Sequence, residues 1–190
     1  MKCLFLGYND KKTKLIKFLK EKKIRVKQID NNLLEKDIEE ADIVISFGFQ
    51  KLIKKEIIDK FKRPAINLHM SFLPYNRGSY PNFWSFVNET PKGVTIHEID
   101  GGADTGNIIF QNSYELDPNL EKFSTFRKTY DFLFSELENL FIEKYEDIIK
   151  NNYKSKKQVG KFSIHKDTDL PSDMNDWDTN ILDYLQREKK

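Results

Sequence analysis

The sequence predicts an α/β fold with a mostly parallel, doubly wound sheet, and three observations predict it. Runs of strand length recur at 3–6, 24–29, 41–47 and 64–69, segments of helical period lie between them, and 190 residues suffice for one well-buried core. Strands that alternate with helices imply right-handed crossovers, hence a Rossmann-like layout with helices on both faces of the sheet.

Each element follows from its own residues. The run CLFL at 3–6 is apolar and is closed by Gly7, as suits a buried strand leaving the sheet. Residues 11–22 put Leu15, Ile16 and Leu19 on one face and predict an amphipathic helix. IRVKQI at 24–29 alternates with period two, and ADIVISF at 41–47 is a continuous apolar strand. A helix over 51–61 is expected from Leu52, Ile53, Ile57 and Ile58, followed by the strand PAINLH at 64–69. After Gly78 a short helix starts near Pro81, and strands follow at 93–100 and from 107, with the glycine-rich loop GGADTG between them. The Phe and Leu spacing over 119–151 predicts one long helix against the sheet, its aromatic stripe belonging to the core. These elements make 1–151 one domain, while 152–190 reads as a polar linker and a short appendage able to pack back.

Composition narrows the function. Lys and Arg number 32 against 30 Asp and Glu, a net charge of +2, which offers no footprint for nucleic acid. The single cysteine, Cys3, excludes a disulfide within the chain and suits a cytoplasmic setting. No stretch has the roughly 18 apolar residues of a membrane span. The first strand's turn has Gly7 alone where a dinucleotide site needs G-x-G-x-x-G, so a nicotinamide oxidoreductase is disfavoured.

The chemistry concentrates at INLHMSFLPYNRG, 66–78. Ligands of open parallel sheets bind beyond the carboxyl ends of strands, where Asn67 and His69 leave the end of the 64–69 run on one face. Asp104 lies in the glycine-rich loop beyond another strand. An amide, an imidazole and a carboxylate that converge suit acyl transfer to an amine: His69 manages a proton, Asn67 donates to an oxyanion and Asp104 orients the imidazole or relays the proton. A structural strand-end histidine is the competing reading, and spacing leaves both open. Ser71 lacks the G-x-S-x-G elbow and reads as a turn-stabilising hydroxyl, while His97 and His165 lack metal-ligand spacing, so no metal site is expected.

NLHMSFLPYNRG followed by GVTIHEIDGGADTG resembles the signature of formyltransferases that use 10-formyltetrahydrofolate. The resemblance implies the Rossmann-like catalytic domain of that family, with Asn67, His69 and Asp104 catalytic, 10-formyltetrahydrofolate as cosubstrate, and Ser71, Leu73, Pro74, Gly78 and Gly102 at the cofactor. PNFWSF and ETPKGVTIH are similar to the branch acting on nucleotide-linked amino sugars, TDP-linked above all, such as those of O-antigens. Tyr8, Arg77, Tyr80, Asn82 and Trp84 are the expected acceptor-binding residues. A methionyl-tRNA enzyme is expected to carry a longer chain with a basic carboxy-terminal domain, so the expected partner is a sugar nucleotide and not nucleic acid or membrane. Rivals are a formyltransferase for another amine, such as glycinamide ribonucleotide, and a non-catalytic folate or nucleotide sensor. A Phe-rich face of the long helix or the tail would offer a homodimer contact, although periodicity does not separate such a face from core.

Overall fold

The computed structural model describes residues 1–31 and 33–188. Strands β1 (Lys2–Gly7), β2 (Arg25–Ile29), β3 (Ile43–Phe47) and β4 (Ile66–His69) pair in parallel in the order β2-β1-β3-β4. A two-residue strand β5 (Arg77–Gly78) stands apart, and β6 (Lys92–Glu98) and β7 (Ile108–Tyr114) extend the sheet antiparallel beyond β4. Helices α1 (Leu15–Glu21), α2 (Glu35–Glu39) and α3 (Lys55–Ile58) follow the first three strands in turn, and α4 (Pro81–Val87) follows β5. The mostly parallel α/β sheet expected from the sequence is therefore the one observed.

Strand alternation feeds two cores. Cys3 and Phe5 point into the larger cluster, whereas Leu4 and Leu6 point into a smaller one that Ile57 and Ile58 of α3 cover. The larger cluster lies under α1, α4, α5 (Phe126–Glu143) and α6 (Tyr145–Lys150), with Phe47, Phe83, Phe126 and Phe141 fully buried. Each such ring contributes about 1.5–3 kcal/mol of burial free energy; Phe123, Phe126 and Phe141 of the aromatic stripe over 119–151 are buried in the core, while Tyr130 and Phe134 are half-buried. Burial pushes the Cys3 thiol up to about 12, against a smaller opposing influence of Arg63, which leaves it an inert member of this cluster.

Three expected helices are shorter than their patterns. In 11–22 a turn comes first, with the Asn9 carbonyl accepting from the Lys12 and Thr13 amides. Thr13 Oγ1 then accepts from the Leu15 N–H and donates to buried Glu138 at 2.6 Å, so helix begins only at Leu15. In 51–61 only Lys55–Ile58 is helical. Ile53 is buried while its neighbour Leu52 is 69% exposed, and the chain reaches Lys54 in extended conformation before helix begins at Lys55. The long helix expected over 119–151 is three pieces. Glu121–Phe123 forms a 3₁₀ turn, Thr125 in extended conformation caps α5 by accepting from the Lys128 amide, and Lys144 interrupts the ladder between α5 and α6.

The tail returns to the body. Its strand β8 (Ile164–His165) pairs in parallel with β5, and helix α7 (Ile181–Glu188) places Ile181 and Tyr184 in the larger cluster beside Met174.

Candidate active site

Ile66 and Leu68 are spent on the core, so alternation turns Asn67 and His69 to the opposite side of β4, at its carboxyl end. β6 runs antiparallel to β4 in a register that sets His97 directly opposite Asn67. The loop after β6 then brings Asp104 back over both, with a left-handed φ of 53° that Asp tolerates better than most residues. Asn67 Nδ2 donates to Asp104 Oδ1 at 2.9 Å, and the Gly78 N–H donates to Oδ2 at 2.8 Å. His69 Nδ1 lies 3.5 Å from Oδ2, and His97 Nε2 lies 3.2 Å from Oδ1. Gly78 has to be glycine: its φ is 81°, and a Cβ there would stand 2.2 Å from the His165 carbonyl oxygen.

Electrostatics separates the roles of these groups. Burial alone would raise the Asp104 carboxyl, but His69, the neighbouring His97 and the Gly78 amide together outweigh it and hold the carboxyl well below the usual carboxylate range. His69 moves down from its ordinary value because it is buried; Asp104 opposes that shift and His97 adds to it. At neutral pH the pair is therefore a carboxylate beside a neutral imidazole. The tautomer follows from geometry. His69 Nε2 is 3.0 Å from the Asn76 carbonyl oxygen, which can only accept, so the proton sits on Nε2 and the Nδ1 lone pair is the basic position facing Asp104. Asn76 itself is fully buried and pinned, its amide nitrogen donating to Thr90 Oγ1 and its backbone N–H to Ser163 Oγ.

The same reasoning fixes His97. Its Nδ1 donates to the Glu98 carbonyl at 2.7 Å, so in the neutral ring Nε2 accepts from Asn67 Nδ2 at 3.2 Å. Both hydrogens of the Asn67 amide are then engaged, one by Asp104 and one by His97. The amide remains a donor toward a cavity, but only by exchanging one of these bonds.

These groups lie on the wall of a cavity of about 910 Å³. Its other walls come from the end of β3 and the segment after it (46–53), from 78–83, from 101–103, from Phe126 and Tyr130 on α5, and from 164–167 and Trp177 of the tail. Among the expected acceptor residues, Tyr8, Tyr80 and Asn82 line it. Tyr8 meets the Tyr130 hydroxyl at 3.2 Å, Tyr80 stacks on Trp177 with centroids 5.6 Å apart, and the Asn82 amide nitrogen ties α4 to Phe126 and Thr129. Arg77 and Trp84 are not lining residues. The Arg77 guanidinium is taken up by Gln158 and lies over Phe162, while Trp84 stacks on His165 at 4.2 Å.

Of the residues expected at a cofactor, Gly78 and Gly102 reach the cavity and Ser71, Leu73 and Pro74 do not. The turn that holds these three is tied beneath the site through Thr95, whose hydroxyl donates to the Ser71 carbonyl and accepts from the Leu73 amide. The Ser71 hydroxyl is buried without a hydrogen-bond partner among the described residues, so the turn is held by its carbonyl and not by its side chain. Sequence reading missed His97, which it treated only as a failed metal ligand. The signal that would have found it is the β4–β6 register, which sets two polar residues opposite each other at one strand end.

Residues 3–133 match the family described as formyl transferase. The chain belongs to the formyl transferase family. A solved structure of the formyltransferase PseJ from Anoxybacillus kamchatkensis, in complex with UDP-4,6-dideoxy-4-formamido-L-AltNAc and tetrahydrofolate, superposes with a TM-score of 0.86 at 38% identity and covers 96% of each chain. Among curated formyl transferases, a methionyl-tRNA formyltransferase of Clostridium beijerinckii is 34% identical over 68% of this chain and 41% of its own length. A dTDP-4-amino-4,6-dideoxyglucose formyltransferase of Mycobacterium tuberculosis is 31% identical over 68% of this chain and 54% of its own length. The chain thus spans about half or less of the curated formyl transferases that it matches.

Proposed function

We propose that the protein is a sugar N-formyltransferase, which moves a formyl group from 10-formyltetrahydrofolate to the C4 amine of a nucleotide-linked 4-amino-4,6-dideoxy sugar. The observation that carries this reading is the convergence of Asn67, His69 and Asp104 on one cavity wall. A cavity of about 910 Å³ lies within the usual range for ligand sites, and its mixture of Tyr8, Tyr80 and Trp177 rings with Lys12 and Lys166 suits flat heterocycles and phosphates. The bound cosubstrate would supply an electrophilic formyl carbon for an amine to attack. His69 accepts the amine proton at Nδ1 and returns it to the folate N10 as the N10–formyl bond breaks and tetrahydrofolate leaves; Asp104 stabilises the imidazolium between the two transfers, and the Asn76 carbonyl keeps the ring in register. Asn67 turns one amide hydrogen to the developing oxyanion.

Likeness to PseJ along nearly its whole length makes a UDP-linked 4-amino-4,6-dideoxy-N-acetyl sugar the first acceptor to try. The Mycobacterium tuberculosis relative favours a dTDP-linked 4-amino sugar as the second. Release of tetrahydrofolate, followed with both sugars, with glycinamide ribonucleotide and with methionyl-tRNA, tests the assignment. Turnover with a 4-amino sugar nucleotide is the expected result; turnover with methionyl-tRNA alone, or none at all with bound folate, would overturn it.

The protonation scheme has its own test. Neutral His69 requires the imidazole to titrate below pH 6.5 in the free protein, read by NMR and assigned with His69→Asn. In Asp104→Asn the midpoint should drop further, because the carboxylate that favours the charged ring is gone. A midpoint at or above 6.5 in the native protein would contradict the neutral base.

A further inference from the structure

We infer that Gln158, held by Arg77, is a positioning residue for the Asp104 carboxylate. Gln158 lies in the polar stretch between α6 and β8, well away in sequence from the residues that face the cavity. Its Nε2 donates to two backbone carbonyls of the loop after β6, those of Asp104 and Gly106, each at 2.8 Å. Its Oε1 accepts from Arg77 Nε at 3.1 Å and Nη2 at 2.8 Å. The amide cannot be turned over, because that would aim its oxygen at two carbonyls and its NH₂ at a guanidinium. Arg77 immediately precedes Gly78, whose N–H holds Asp104 Oδ2, so one clamp grips the backbone of Asp104 and the strand that donates to its side chain.

The clamp acts where the backbone needs it. Asp104 sits at positive φ, a conformation that a non-glycine residue keeps only when its surroundings impose it. The loop's own bonds are local: the Gly102 amide and the Thr105 hydroxyl both donate to Asp100 Oδ1. Gly106 packs against the end of β6 so closely that a Cβ would meet the Glu98 carbonyl at 1.8 Å. The bridge between Ile108 and Lys156 carries Gln158 to this loop. Without the clamp, Asp104 can relax its φ and swing the carboxylate away from His69 Nδ1. A displacement of about 1 Å at a reacting group costs up to about 100-fold in rate.

The inference rests on the formyl-transfer reading, and its test includes a measurement that does not. In the full chain, Gln158→Ala is expected to lower kcat roughly 10- to 100-fold, with KM for 10-formyltetrahydrofolate and for the amino sugar changed by less than about threefold. The His69 midpoint read by NMR should move to lower pH, since the carboxylate that supports the charged ring has moved off; lost stability alone would leave it in place. Arg77→Ala should act in the same direction, and the double variant should be no worse than Gln158→Ala within about twofold, because both changes break one clamp. Gln158→Glu keeps the partner for Arg77 but loses both donations, and should behave like the alanine variant. Native kcat in Gln158→Ala, an unmoved His69 midpoint, or effects that multiply with those of Arg77→Ala would each overturn the inference. Should the native chain form no product with any acceptor, the titration of His69 in native and Gln158→Ala protein still decides the clamp separately from the reaction.

Discussion

Asp104→Asn lowers kcat by about 10³-fold or more while the protein remains folded, as judged by circular dichroism and a cooperative melt. The size follows from what a carboxylate does beside a proton-accepting imidazole, since general acid–base catalysis is worth about 10² to 10⁴ and a wrongly polarised histidine forfeits it. Both Asp104 oxygens face donors: Oδ1 meets the Asn67 amide, and Oδ2 meets the Gly78 amide. An asparagine amide must therefore turn its NH₂ toward at least one donor. Placed at Oδ2 it opposes the Gly78 N–H and donates to His69 Nδ1, which occupies the basic lone pair. Placed at Oδ1 it opposes the Asn67 amide. Either orientation costs about 1–3 kcal/mol of stability through an unsatisfied buried group, less than a domain of this size needs to remain folded. Steady-state kinetics beside a melting curve separates the two effects; a variant with near-native kcat would remove Asp104 from the chemistry.

Asn67→Ala is the second large effect, with kcat down by about 10² to 10³, the 2.7–4 kcal/mol typical of one lost oxyanion donor. The hydrogen directed at His97 is the one free to move, because that contact is the longer at 3.2 Å, whereas the 2.9 Å bond to the Asp104 carboxylate is charge-assisted. KM for the folate should change little, since the interaction is made as charge develops on the reacting oxygen. A loss confined to KM, or a kcat within tenfold of native, would assign Asn67 to anchoring Asp104 alone.

How much of this was legible before the fold was known depended on whether a residue's partner lay near it in sequence. β1 and β3 are apolar runs and appear where their patterns put them, because a buried parallel strand leaves little choice of residue. Asn67 and His69 were readable as a pair since a strand's period of two decides which side chains share a face. The helix expected over 51–61 was not, because the same Leu and Ile spacing also serves an irregular segment once Ile53 enters the smaller cluster and Leu52 turns outward. His97 became legible only through the β4–β6 register, and Asn76 only through the His69 ring. Arg77 and Trp84, both expected in the pocket, found partners in the tail, a segment whose composition gave no hint of where it would lie.

The strap from the tail has a consequence for the order of folding. Asn76 waits on Ser163 across 87 positions, and Arg77 waits on Gln158 across 81. Closing loops of that length has an entropic cost that must be met before those bonds can form, whereas the pairing of β1 with β2 joins near neighbours. The sheet can therefore consolidate early, while the reactive geometry is among the last features to mature. During synthesis a nascent chain would be structured well before it is competent, and onset of turnover in refolding should lag behind recovery of secondary structure.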